Sequence, residues 1–146
     1  MTEGVYILLF ENDECLLRIG ALGTLRFAKG WHGYVGSALG PGGFARVQRH
    51  VTLYHYHDRP PRWHIDHLLT SPHFHLRYAI CGPTQDKLEC FLARRICIDG
   101  DAGFGASDCR CATHLFHRRH NPLDETRSVF TALGLVPVIK SINTDW

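Results

Sequence analysis

Of the 16 basic residues in this sequence, 13 are arginine. The planar guanidinium grips phosphate oxygens two at a time. Arg46, Arg49, Arg59 and Arg62 fall in one stretch opposed only by Asp58, and Arg110 to His120 holds three arginines, three histidines and no acid. Such runs suit a phosphodiester partner; they equally suit two solvated faces of a slightly basic chain with net charge +2. Arg46 and His50 are four residues apart and would share one side of a helix. In Trp63–His64–Ile65–Asp66–His67, Asp66 would orient His64 or hold a helical turn, or His64 and His67 would take a transition metal. Cys109-x-Cys111-x-x-His114-x-x-His117 carries zinc-ligand types, but its C-x-C gap is tighter than zinc sites use. Zinc is therefore not the expected cofactor.

These side chains must be positioned by regular elements. Val5 to Phe10 is an apolar run that reads as a strand. A turn over Glu11–Asn12–Asp13–Glu14 leads to a returning strand at Cys15 to Ile19. Leu25 to Phe27 and Trp31 to Val35 read as further strands, the latter ended by Gly36. Phe44 to Tyr54 has helical spacing, with Phe44, Val47 and Val51 on one face and Arg46 with His50 on the next. Trp63 to Leu69 reads as a short helix and Phe74 to Ile80 as a strand. Thr84 is a suitable N-cap for a helix to about Ile98, with an apolar stripe of Leu88, Phe91, Leu92 and Ile96 and with Glu89 at its edge. Gly100 to Asp108 is a glycine-rich loop, and Asp124 to Leu133 a last helix ended by Gly134. The expectation is one α/β (α+β) domain over residues 1–146, a small mixed sheet flanked by helices.

Composition excludes several classes. With 45% apolar and 21% charged residues, the chain is neither disordered nor fibrous. No apolar run approaches the roughly 18 residues of a membrane helix. The opening MTEGVYILLF has an acid before its apolar run and no basic region, unlike a secretory signal. A cytoplasmic protein with reduced thiols and no membrane partner is expected, and Cys15, Cys81, Cys90 and Cys97 read as small buried hydrophobes. Gly36–Ser37 through Gly42–Gly43 would bring a helix N-terminus toward phosphate. Gly103–Phe104–Gly105 lacks the lysine and strand-to-helix setting of a phosphate loop.

The ordered set Gly4–Val5–Tyr6, Tyr34–Val35–Gly36, Arg46, His50 and Glu89 resembles the GIY-YIG nuclease superfamily. The longer strings GYVGSALGPGG, RWHID, EC and GFGASDC look like one subfamily of it, first catalogued as a domain of unknown function; the likeness runs from about Gly4 to Phe116. The resemblance implies metal-dependent hydrolysis of DNA or RNA phosphodiesters, with DNA the expected partner ahead of RNA. It assigns Tyr6 as general base or water-orienting group, and Tyr34 to the phosphate or the water. Arg46 would hold the non-bridging oxygens, His50 would assist proton transfer or hold Tyr6, and His64 would be the second histidine that helps at the site. Glu89 would bind one Mg²⁺ or Mn²⁺ ion; such hard cations keep several waters and need few carboxylates. Ser37, Arg49, Arg62 and Arg118 would contact the nucleic acid. Two departures stand out. The tyrosines are 28 positions apart, an insert that would hold the strands at Cys15–Ile19 and Leu25–Phe27. The asparagine common beyond the glutamate is missing from Phe104–Gly105–Ala106–Ser107–Asp108. The alternative is therefore a nucleic-acid-binding module without turnover, or one stabilised by zinc around Cys109 to His117.

Overall fold

The computed structural model describes residues 2–97, 104 and 113–142. β1 (Gly4–Asn12) is the middle of a five-stranded sheet. Its neighbours are β4 (Gly30–Ala38) on one side and β5 (Phe74–Pro83) on the other; β6 (Leu115–Arg118) and β7 (Val138–Ser141) form the edges. All four pairings are antiparallel, so the sheet is not mixed in strand direction. The insert, β2 (Cys15–Arg18) and β3 (Thr24–Phe27), forms a second, two-stranded sheet among the described residues.

Helices cover both faces of the large sheet, which is why β1 reads as an uninterrupted apolar run rather than an alternating one. Tyr6, Leu8 and Phe10 face α1 (Ala45–Tyr56) and α2 (His64–Leu69), packing with Val51, Leu53, Ile65, Leu68 and Leu69. Val5, Ile7 and Leu9 face α3 (Glu89–Ile96) and α4 (Leu123–Ala132), packing with Leu92, Ala93, Ile96 and Phe130. The expected α+β architecture is the one that forms. No helix among the described residues is long and apolar enough to cross a membrane.

Some boundaries differ from expectation. Glu11 and Asn12 continue β1 into full pairing with Trp31 and Gly30. β4 runs through Gly36 to Ala38 rather than ending at it. Thr84 caps no helix: β5 extends to Pro83, the Thr84 hydroxyl accepts the Asp86 N–H at 3.1 Å, and α3 starts only at Glu89. Phe91 points outward at 58% exposure. The buried stripe of α3 is Leu92, Ala93 and Ile96. The Gly100–Asp108 loop, apart from Phe104, lies outside the described residues, as do Cys109, Arg110 and Cys111.

Candidate active site

Strand register places the first tyrosine. Tyr6 pairs with Gly36 across β1 and β4, and in a pleated sheet directly opposed residues point to the same face. A Cβ on Gly36 would lie 2.2 Å from Tyr6 Cζ and 2.4 Å from its hydroxyl oxygen. The phenol ring therefore occupies the volume that the glycine leaves open. Gly36→Ala is expected to cost about 1–3 kcal/mol as an overpacking change and to push the phenol off its position. A thermal melt together with near-ultraviolet circular dichroism of the tyrosines checks both effects; an unchanged melt and an unchanged spectrum would refute them.

Helical periodicity places the imidazole. Val47, His50 and Val51 form the buried face of α1, at the spacing that keeps one stripe against a sheet. His50 Nε2 is 2.8 Å from the Tyr6 hydroxyl. Tyr34 completes the cluster: its ring centroid is 6.4 Å from that of Tyr6 and 6.5 Å from that of His50. Trp63 closes it on the other side, edge-on to His50 at 5.8 Å.

Burial dominates the electrostatics of this pair. Tyr6 is 1% exposed. Desolvation holds its phenol well above its ordinary value of 10.0, and Tyr34 and Glu89 push the same way; Arg46 and Arg49 pull it down without winning. His50 is pushed down to about 3, by burial first and then by Arg49. Both groups are therefore neutral at pH 7, and their hydrogen bond joins a phenol to an imidazole. His32, buried beside Asn12 Oδ1 at 2.7 Å, is likewise pushed down to about 3, by burial and then by His117.

In the unfolded chain both histidines would bind a proton near pH 6.5, which the fold refuses, so acid favours unfolding. Stability is expected to fall by about 1.4 kcal/mol per histidine for each pH unit below roughly 6.5, down to the folded values near 3. Urea unfolding at pH 7 and pH 5 tests this; equal stabilities would refute it.

The arginines divide by what holds them. Arg46 is exposed, donates to the Ser37 carbonyl at 2.9 Å and lies over Trp63 at 5.5 Å. Arg49 makes two 3.1 Å hydrogen bonds to Asp66 and stacks 4.0 Å above Trp63. Asp66 also accepts the backbone N–H groups of Arg62 and Trp63 at 2.9 and 3.0 Å. It thus holds the first turn of α2, one of the two roles its position suggested. The Arg62 side chain is exposed and lines a cleft with Arg49, Arg59, Pro60 and Pro61. Arg118 is not gathered with these residues. It pairs opposite Trp31 and binds Glu125 with two 2.8 Å hydrogen bonds and the Ile96 carbonyl with a third. Its charge is matched inside the fold.

Glu89 opens α3 and is close enough to Tyr6 to act on its proton affinity. Its Oε2 is 3.4 Å from Nδ1 of His114, a side chain only 1% exposed. A Glu89 oxygen, the Cys90 sulfur and a His114 nitrogen all lie within 4.8 Å of one another, so these three residues could hold a cation. Sequence reasoning missed Cys90 and His114 here. The first reads as a buried hydrophobe, and the second belongs to a string of zinc-type ligands. That string is not assembled by its described members: His114 turns to Glu89, while His117 turns to the Lys29 carbonyl and His32. His64, on α2, packs on Phe104 at 5.5 Å, and Phe104 packs on Tyr34 at 6.2 Å. Its imidazole is pushed down by burial and by His67.

Tyr6, Tyr34, His50, Arg46 and Trp63 are therefore one contiguous cluster, with Glu89 acting on it through space. No curated protein and no solved structure matches this chain. A family model does match, over residues 5–135, and the chain belongs to the family described as domain of unknown function DUF123.

Proposed function

We propose that this chain is a GIY-YIG-type endonuclease that hydrolyses phosphodiester bonds of DNA, or of RNA, with a divalent cation at Glu89. The observation that carries the reading is the convergence on Tyr6: a 2.8 Å bond to His50 and the Tyr34 ring at 6.4 Å, with Arg46 and Glu89 both near enough to act on its hydroxyl, in opposite directions. When bound, the cation would neutralise phosphate charge and polarise a water. Of the three described residues that could hold it, Glu89, Cys90 and His114, only the Glu89 carboxylate is a hard oxygen donor of the kind Mg²⁺ prefers.

The remaining chemistry falls to the chain itself. A phenol held neutral by burial is no standing phenolate, so Tyr6 works as a relay. Its O–H donates to His50 Nε2, and its oxygen lone pairs accept a hydrogen from the attacking water. As the water attacks phosphorus and the P–O bond to the leaving oxygen breaks, the water's proton passes to the Tyr6 oxygen and the Tyr6 proton to His50 Nε2, while the leaving oxygen takes a proton from solvent. An arriving phosphate adds negative charge beside His50 and raises its affinity for that proton. Arg46, exposed and held among the described residues by a carbonyl and an aromatic face, would turn to the non-bridging oxygens. Tyr34 would hydrogen-bond the phosphate or the water. His64 would reach the leaving side past Phe104. Arg59 and Arg62, with the half-committed Arg49 and with Ser37, would neutralise the flanking backbone without reading bases.

One observation favours a second reading, binding without turnover: Tyr6 is 1% exposed, so substrate binding must admit the water. A panel of labelled single- and double-stranded DNA and RNA, with each of several divalent cations, separates the two. Cation-dependent cleavage supports the nuclease. Binding with no cleavage under any cation supports the module and overturns the enzyme.

A further inference from the structure

We propose that Glu89, Cys90 and His114 form a three-ligand site for a borderline transition-metal ion, Zn²⁺ or Co²⁺, in preference to Mg²⁺. The proposal rests on the reading above only in taking Glu89 as the residue that meets the cation. Placement is the first ground. Glu89 and Cys90 are the first two residues of α3. The backbone of His114 is fixed from both sides: its carbonyl accepts the Val35 N–H at 2.9 Å, and its N–H donates to the Phe104 carbonyl at 2.8 Å. Its ring is held at 1% exposure against the carboxylate.

Spacing is the second ground. Metal–ligand distances of about 2.0–2.3 Å in a tetrahedron put neighbouring donor atoms about 3.3–3.8 Å apart. Glu89 Oε2 and His114 Nδ1 are already 3.4 Å apart. That is longer than the usual N–H···O bond of about 2.7–3.2 Å and suits two atoms that share an ion. The three donor atoms span at most 4.8 Å, so closing on an ion needs a side-chain rotation and no backbone movement.

Donor chemistry is the third ground. Mg²⁺ seeks oxygen and gives up water reluctantly. A thiolate, an imidazole and a carboxylate together suit Zn²⁺ and Co²⁺, and the affinity order among divalent ions places both above Mn²⁺. Among the described residues three ligands come within reach of one ion, the protein-ligand count of zinc sites that meet substrate. Binding requires the Cys90 thiol to give up its proton to solvent, so uptake releases one proton and weakens as pH falls.

The test uses the full chain, stripped of metal, titrated with Co²⁺ alone and followed by absorbance. The expected result is a near-ultraviolet sulfur-to-cobalt charge-transfer band that saturates at one equivalent. Zn²⁺ should abolish it, and a large excess of Mg²⁺ should leave it unchanged. Cys90→Ser, a near-isosteric change at a half-buried position, should lose the band while keeping the wild-type circular dichroism. The double variant Cys109→Ser/Cys111→Ser should keep the band, which excludes the thiols of the C-x-C string. No band in the wild type, survival of the band in Cys90→Ser, or its loss in the double variant each overturns the proposal. No nucleic acid is present, so an inactive protein that gives the band sinks the nuclease reading alone. An active protein without the band sinks the metal assignment alone.

Discussion

Tyr6→Phe is expected to slow cleavage by about 10²–10⁴-fold, the usual worth of one positioned acid–base group, while nucleic-acid affinity stays near wild type. The substitution deletes only the hydroxyl oxygen bonded to His50, which in the proposed relay links that imidazole to the attacking water. In barrier terms the loss is about 3–5 kcal/mol. It should appear in the single-turnover rate and not in the binding constant, because Arg46, Arg59 and Arg62 keep their positions. A smaller cost falls on stability. His50 Nε2 loses its partner in a site closed to solvent, which costs about 1–3 kcal/mol. Stability and rate are therefore to be measured on the same preparation, below the variant's melting temperature. Wild-type cleavage by Tyr6→Phe would remove the phenol from the reaction and return Tyr6 to a packing role.

Asp66→Ala is expected to be the most destabilising of the polar substitutions considered, at about 3–5 kcal/mol, because it leaves a partly buried guanidinium without its counter-charge. The carboxylate is 0% exposed, and the Arg49 side chain only 16%. Burial alone would push the Asp66 acid up. The hydrogen bonds from Arg49 and from the N–H groups of Trp63 and Arg62 overcome it and hold the group below its ordinary value. A depressed folded value means the unfolded chain takes up protons first. The stabilisation is therefore full at neutral pH and disappears as pH falls below about 4. This window lies at the acid end of the one assigned to His32 and His50. Thermal melts should show the loss as roughly 6–20 °C for a chain of this size. Asp66→Asn should keep the packing, lose the charge pairing and flatten the acid limb below pH 4. A variant that melts with wild type would show that Arg49 and the first turn of α2 stand without the carboxylate.

The parts of this molecule that were legible in sequence are those governed by local pattern. β1 betrayed itself by continuous apolar residues because helices pack on both its faces. α1 showed its apolar phase, but His50, expected beside Arg46 on the adjacent face, lies in the buried stripe with Val47 and Val51 while Arg46 stays exposed. Tyr6, Tyr34 and His50 could be named because the ordered motifs around them resemble a known superfamily; the register of β1 against β4 then places the two tyrosines on one face, and the packing of α1 adds His50. What stayed hidden depends on partners remote in sequence. Thr84 has the chemistry of an N-cap, but its neighbour Pro83 is still paired with Gly4, so no helix can begin there. β6 and β7 are four residues each, too short to carry a period. A count of arginines suggested that Arg49 and Arg118 are available to phosphate; Asp66 and Glu125 engage them, and no sequence spacing announces either pair. Cys90 and His114 are joined only by the packing of α3 near the start of β6.

The space beside Gly36 has a broader consequence. The reach of the Tyr6 hydroxyl is set by a missing side chain on the adjoining strand, so alignment of two backbones governs it directly. A slip of one residue between them would set Val35 or Ser37 opposite the ring and turn the phenol to the other face of the sheet. Any perturbation that loosens this strand pairing would therefore move the phenol, and under the proposed function it would be felt as lost turnover before it is felt as unfolding.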